Sequence, residues 1–171
     1  MNDVRLAARR RGTVLAEFML MGIPLMFMVL GVFEVSILMW RYITMAQTAQ
    51  QAALYVSVHG NTCTQNGNTC TITVANIASY IEKVAVGLPP SNLNITLACT
   101  GCTSVSCAPL NSCNGNSDTF PPLSYNAIGN NVTVTAAYAM TNPLYMFWNG
   151  KNKVAIQDLT LGATSTQRIV Y

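Results

Sequence analysis

The sequence predicts an α+β fold: a long N-terminal helix, transmembrane in its first half, followed by a small disulfide-bearing domain with one helix and an antiparallel sheet. Three observations support this prediction. Apolar residues concentrate in the first third of the 171 residues, and six cysteines all follow residue 60. Several later stretches alternate apolar residues with Thr or Asn, the pattern of half-buried strands. A chain of this length corresponds to roughly one domain.

The first predicted element is a membrane-spanning helix at about residues 14–40. No charged residue occurs from Phe18 to Phe33, and after Glu34 none occurs before Arg41. The 27 residues from 14 to 40 would form a helix about 40 Å long, which is ample for a hydrocarbon core of about 30 Å. A secretory signal peptide that is removed whole and an unprocessed single-pass anchor remain alternatives. The signal peptide fits poorly, because its apolar stretch is normally shorter.

The distribution of charge predicts the orientation of this helix. The whole net charge of +3 lies in residues 1–12, where four arginines face one aspartate. Only Arg41 closely follows the span, so the positive-inside rule places the N-terminus in the cytoplasm and the C-terminal domain in the periplasm. Beyond residue 12 the basic and acidic residues balance. A basic patch for nucleic acid is therefore absent from the sequence of the domain, and membrane lipid is the expected contact of the apolar span.

The residues around the start of the span resemble the type IV prepilin processing motif. Arg9-Arg10-Arg11-Gly12 precedes Thr13, and Glu17-Phe18 occupies the fifth and sixth positions after Gly12. The resemblance implies that residues 1–12 are a leader that a prepilin peptidase removes by cutting between Gly12 and Thr13. The new α-amino group would have a reference pKa of about 7.7–8.0 and would lie one helical turn from Glu17.

Glu17 and Glu34 are therefore candidate assembly residues, because a charge at the bilayer centre costs about 3 kcal/mol or more. Pairing Glu17 with the amine of a neighbouring subunit would neutralise both charges and set the axial register, with Phe18 beside it. The alternative for both glutamates is a carboxylate that reaches the headgroups from near a helix end.

The N-terminal 45 residues further resemble the TadE-like family, the minor pilins or pseudopilins of the tight-adherence (Tad/Flp) pilus system. The resemblance rests on Glu17-Phe18, Pro24, and Glu34 after Gly31 and two apolar positions, and on the Gln/Ala-rich turns at 45–53. Family members often carry Arg or Lys soon after the second acidic residue, where this chain has Ser36. No motif is recognised in residues 60–125.

This resemblance implies a structural role in pilus assembly rather than an enzyme, with no cofactor and no metal. The implied partners are the prepilin peptidase, the major Flp-type pilin, other minor pilins and the inner-membrane assembly platform. The implied location is the bacterial inner membrane, with incorporation into a surface pilus as a further step. A type II secretion pseudopilin and a membrane-anchored periplasmic thiol-disulfide enzyme are the alternatives.

The predicted domains are the leader at 1–12, the N-terminal helix at 13–58 and an external α+β domain at 59–171. Small apolar residues continue the helix to about Ser57 at helical spacing. Their face could pack on the protein's own domain or on a neighbouring subunit. Beyond it we expect a helix at 74–86 and strands at 93–98, 131–139 and 159–170.

The cysteines predict disulfides, because an even number lies on the non-cytoplasmic side of the membrane. Cys63 with Cys70 is the first expected pair, and the connectivity of the other four stays open: Cys99, Cys102, Cys107 and Cys113. Cys99-Thr100-Gly101-Cys102 could instead form a redox pair, which normally requires a helix directly after it. A structural disulfide is preferred over both that alternative and a four-cysteine zinc site.

Overall fold

The computed structural model describes residues 3–59, 72–140 and 159–170, with side chains from Ala16 onward in the first range. Within these ranges a long apolar helix is followed by a second helix and a four-stranded antiparallel sheet with two disulfides. The predicted α+β class is therefore confirmed. The chain divides into two compact units, residues 1–40 and residues 41–171.

Helix α1 extends from Asp3 to Val58. Its end agrees with the expected boundary near residue 58, but its start does not, because the helix passes through Gly12 instead of beginning after it. Arg, Leu and Ala, which dominate the residues before Gly12, are strong helix formers. Once a helix exists, each added residue needs no new nucleation, and one glycine costs only about 1 kcal/mol.

The first half of α1 has the surface of a membrane span. From Ala16 to Trp40 every side chain is exposed or half-exposed, and most are large and apolar. The helix is long and apolar enough to cross a membrane, as judged by length and composition. Such a surface is unfavourable in water, since each exposed large apolar side chain forgoes about 1.5–3 kcal/mol of burial.

The second half of α1 packs on the external domain. Tyr55 stacks on Tyr80 with ring centroids 4.2 Å apart, and the Arg41 guanidinium lies 5.9 Å from the centroid of the Tyr138 ring. Ser57 accepts a backbone hydrogen bond of 3.4 Å from Val170. The helix buries one face of mainly small residues: Met45, Thr48, Ala49, Ala52, Ala53 and Val56. Of the two alternatives for the alanine face, the structure therefore supports packing on the protein's own domain.

Helix α2, Val74–Val84, begins at a capping threonine. The Thr73 hydroxyl accepts a hydrogen bond of 3.3 Å from the backbone N–H of Asn76, which satisfies one of the free donors of the first turn. The helix ends two residues before the predicted boundary, and Gly87 follows at φ 81°. Its buried face consists of Val74, Ile77, Ala78 and Ile81.

The sheet contains β1 (Leu93–Cys99), β2 (Val105–Cys107), β3 (Asn131–Met140) and β4 (Leu159–Arg168). The strand order is β2-β1-β3-β4, and all three pairings are antiparallel. The three long strands match the predicted stretches to within two residues, whereas β2 was not predicted.

One face of the sheet forms the core of the external domain, and the other is open. Alternate residues of β1 and β3 are buried, as the period of two requires. The opposite face carries a row that crosses all four strands in register: Ser106, Thr96, Thr135 and Thr164. Hydroxyl contacts of 2.9 Å between Thr133 and Thr166 and 3.2 Å between Thr135 and Thr164 join β3 to β4 on this face.

Candidate functional site

The predicted processing and assembly residues lie on one uninterrupted helix. Gly12 and Thr13 are within α1, and Thr13 precedes Glu17 by one turn. Glu17 is exposed, and the Phe18 side chain is 77% exposed, so neither is occupied by contacts within the described part of the chain. Both side chains are therefore accessible to lipid or to another subunit.

Helical geometry places Glu17, Pro24 and Gly31 on one stripe of α1. Successive members are seven residues apart, and seven residues return to nearly the same face with a drift of about 20°. A Cβ atom added at Gly31 would meet nothing within 4 Å, so no contact in the described structure requires glycine there. The stripe combines a carboxylate, a proline and a small residue on one side of the apolar helix.

Pro24 weakens the helix on this stripe. It has no N–H to donate to the carbonyl of Leu20, and in a water-exposed helix interior it would cost about 3 kcal/mol. Membrane helices tolerate proline because neighbouring polar groups compensate the freed carbonyl. The same side of the helix therefore holds the Glu17 carboxylate and the Leu20 carbonyl, which accepts no helical hydrogen bond, within the apolar span.

Glu34 is separated from Glu17 in both position and direction. Seventeen residues correspond to about 26 Å along a helix, and the two side chains point about 100° apart around it. Glu34 is half-exposed, one turn before Leu38, which is also half-exposed. A single neighbouring amine therefore cannot pair with both carboxylates.

The comparison with known families matches this same helix. Residues 12–54 match the model of the family described as TadE-like protein. They are a TadE-like domain. No curated protein and no solved structure matches the chain.

The TadE-like domain includes the five residues predicted for processing and assembly, together with the Gln/Ala-rich turns: Gly12, Thr13, Glu17, Phe18 and Glu34. It begins at Gly12 and so leaves out the arginine-rich residues that precede it. The match of these residues to the family suggests a pilin-like role related to the Tad pilus system. The domain ends before the disulfides and the sheet.

Four of the candidate cysteines form two short-range disulfides, Cys99–Cys102 and Cys107–Cys113, with Cα atoms 5.3 Å and 5.5 Å apart. The first closes the turn after β1, in which Gly101 has φ 80° and faces the Tyr125 ring. The second joins the end of β2 to the 3-10 turn Leu110–Cys113. Cys63 and Cys70 lie outside the described residues, so their predicted pairing stays a prediction.

The surroundings of Cys99 and Cys102 favour the structural disulfide over a redox pair. After Cys102 the chain continues through Thr103 and Ser104 into β2, so the stretch between β1 and β2 contains no helix whose N-terminus could lower a thiol pKa. Because all four described cysteines are oxidised, they provide no thiolates for zinc. Over the residues that the structure describes, no group of His, Cys, Asp and Glu could hold a metal ion.

A loop at residues 114–118, within the segment 60–125 that has no recognised motif, is fixed to α2 by hydrogen bonds. Val74 and Ala75 donate to Asp118 and Asn116 at 2.9 Å and 3.0 Å. Asn114 adds a side-chain hydrogen bond of 3.2 Å to Glu82. The first helical N–H groups thus find loop carbonyls as partners, which is a long-range pairing that no local sequence pattern reveals.

Proposed function

We propose that this chain is a minor pilin or pseudopilin of a Tad/Flp-type pilus, synthesised as a precursor and cut by a prepilin peptidase after Gly12. The observation that carries the proposal is the TadE-like domain at residues 12–54, which covers the exposed apolar half of α1. TadE-like proteins are typically non-enzymatic and pilin-like.

The exposed apolar surface supports a role in which α1 moves from the lipid of the membrane into a protein assembly. Most side chains of residues 16–39 are exposed in the described structure, so lipid or neighbouring pilin helices must cover them. A pilin helix uses both in turn: it is anchored in the inner membrane and then packs in the assembly. The major Flp-type pilin, other minor pilins and the inner-membrane assembly platform are the proposed partners.

Cleavage would change the electrostatics of the N-terminus. Removal of residues 1–12 eliminates side chains with a net charge of +3 and leaves a mature chain whose basic and acidic side chains balance. One α-amino group then lies four residues before Glu17. In a filament, that amine pairs with Glu17 of a neighbouring subunit, because leaving either charge alone in apolar surroundings is costly.

The processing step is tested by intact-mass measurement and N-terminal sequencing of the full chain, expressed with a prepilin peptidase and extracted from the membrane. We expect a mature protein that starts at Thr13. Expression without the peptidase is the control and should leave the leader in place. The proposed cleavage is wrong if the mature N-terminus is any residue other than Thr13. It is also wrong if the leader is retained both with and without the peptidase.

A further inference from the structure

The two edges of the sheet are built differently. Edge strand β2 has three residues and leads through Pro109 into the 3-10 turn to which the Cys107–Cys113 disulfide ties it. Edge strand β4 has ten residues and pairs with β3 in continuous register, without a bulge. Between Leu159 and Gln167 it contains no proline and no charged residue. Natural edge strands are usually protected by shortness, charge, proline or a bulge. β4 is long and has neither proline nor bulge, and its one charged residue is Arg168 at its end.

The hydrogen-bond pattern shows which groups β4 directs away from the sheet. Ile169, just after the strand, donates to Asn130 at 2.8 Å and accepts from Gly129 at 3.0 Å, so its backbone groups face β3. Successive residues of a strand alternate in direction. The odd-numbered residues of β4 therefore bond to β3, and the even-numbered residues direct N–H and C=O outward: Thr160, Gly162, Thr164, Thr166 and Arg168.

Independent contacts agree with this assignment. On the far side of β3, Ala139 donates to Asn92 and Asn131 accepts from Thr100, so odd residues of β3 face β1 and even residues face β4. Val170, an even-numbered residue beyond β4, donates outward to Ser57 of α1. The outward groups from Thr160 to Arg168 have no partner among the residues that the structure describes.

Gly162 lies in the middle of this edge. A Cβ atom there would meet nothing within 4 Å, and its backbone does not have a positive φ, so neither packing nor conformation within the described structure requires glycine. Glycine weakens a strand and often marks a position where another backbone approaches closely. The five residues on the open face of β4 are exposed, and four of them carry no charge.

We propose that β4 is an interface for strand addition and that its occupant is β4 of a second copy of this chain. An antiparallel pair centred on Thr164 brings outward-directed residues opposite one another, Gly162 with Thr166 and Thr160 with Arg168. This pairing is self-complementary, as a twofold interface requires. It places no like charges opposite one another and joins the two sheets into one of eight strands.

The low charge of the edge, with one charged residue among five outward-directed ones, is the reason for choosing a second copy as the occupant. Strand addition gains affinity from main-chain hydrogen bonds and specificity from the side chains of alternate residues. A strongly acidic or basic partner strand would find one charged residue, Arg168, along the outward-directed positions. β4 itself supplies a strand of equal length and matching hydrogen-bond pattern, and its one charged residue, Arg168, lies opposite the uncharged Thr160.

The test uses the full chain in its own membrane, with Thr164→Cys as a reporter and a short bis-maleimide as crosslinker. The four described native cysteines are in disulfides and do not react with maleimide. We expect a covalent dimer from Thr164→Cys and at least tenfold less from Ser106→Cys. Ser106 is the matched control, since it is exposed on the same open face but on the opposite edge strand.

A second pair of variants tests whether hydrogen bonds along the β4 edge hold the dimer together. Gly162→Pro in the Thr164→Cys chain removes an outward N–H without touching a bond to β3, and we expect it to lower the dimer yield at least fivefold. Gly162→Ala keeps the N–H and should leave the yield within twofold. Equal thermal unfolding of the two variants shows that the domain is still folded.

The proposal is overturned by absence of a dimer, by an equal yield from Ser106→Cys, or by a yield that Gly162→Pro does not change. Mass spectrometry of the crosslinked band decides the occupant. Two copies of the peptide that contains residue 164 support the second copy, whereas an adduct with a different protein rules it out. Pilus processing and incorporation are not part of this readout, so its failure leaves the proposed function unaffected.

Discussion

Glu17 and Glu34 are the two carboxylates in the apolar half of α1, and their surroundings differ. Glu17 is exposed one turn after the proposed new N-terminus, whereas Glu34 lies about 26 Å further along the helix. Because the amine of a neighbouring subunit can pair with one of them only, the two residues should contribute differently to assembly. The spacing from Gly12 favours Glu17.

We expect Glu17→Gln to lower incorporation into filaments at least tenfold while leaving cleavage after Gly12 intact. The substitution keeps the size of the side chain but leaves the amine without a counter-charge, and a loss of about 1.4 kcal/mol already corresponds to tenfold. Quantitative immunoblotting of sheared filaments against the membrane fraction measures the effect. Glu82→Gln, the same substitution in α2, is the matched control and should incorporate normally. Equal incorporation of the two variants would refute the proposed pairing.

At the scale of single elements, α1 changes character near Arg41. Before this residue its side chains are exposed and apolar. After it, one face of mainly small residues is buried against the domain, and the exposed residues include glutamines as well as Ile43, Leu54 and Val58. Small side chains let the helix approach the domain closely, which leaves little room for extra atoms. The alanine face therefore belongs to the core of the external domain.

We expect Ala52→Leu to destabilise the external domain by about 1–3 kcal/mol, because Ala52 is fully buried and extra methyl groups overpack the core. Gln51→Leu, one position away on the exposed face, should change stability by less than about 0.5 kcal/mol. Urea unfolding of the detergent-solubilised chain, followed by tryptophan fluorescence or circular dichroism, provides the comparison. Similar free energies of unfolding for the two variants would contradict the packing.

The same scale shows why some elements were predictable and others were not. The strands β1, β3 and β4 alternate over seven or ten residues, which is enough to reveal a period of two. Strand β2 has three residues and exists because Ile95 pairs with Cys107 and Leu97 with Val105. Helix α1 begins at Asp3 and not after Gly12, because the residues before Gly12 are themselves strong helix formers.

At the scale of the whole molecule, the arrangement is one apolar helix followed by a small domain rich in Thr and Asn. The four arginines before the span and the disulfides after it agree on one orientation, since disulfides persist in an oxidising compartment and positive charge stays in the cytoplasm. The domain is therefore expected on the periplasmic side.

We expect a C-terminal fusion to alkaline phosphatase to be active, because that enzyme folds only where its own disulfides can form. Substituting Gln for Arg5, Arg9, Arg10 and Arg11 should lower the activity at least threefold by weakening the charge asymmetry that sets orientation. Activity per unit of fusion protein, with expression measured by immunoblot, gives the ratio. An inactive parent fusion would place the domain in the cytoplasm and refute the orientation.

The sequence by itself determined the local and compositional features of this protein: the apolar span, the spacing of Gly12 and Glu17, the α2 helix and the three long strands. Each depends on residues close together in the chain. Tertiary structure decided how the four described cysteines pair and which side of α1 the domain covers. It also decided that, among the residues the structure describes, β4 rather than β2 presents the long open edge. These features depend on distances between residues far apart in sequence, and periodicity carries no information about such distances.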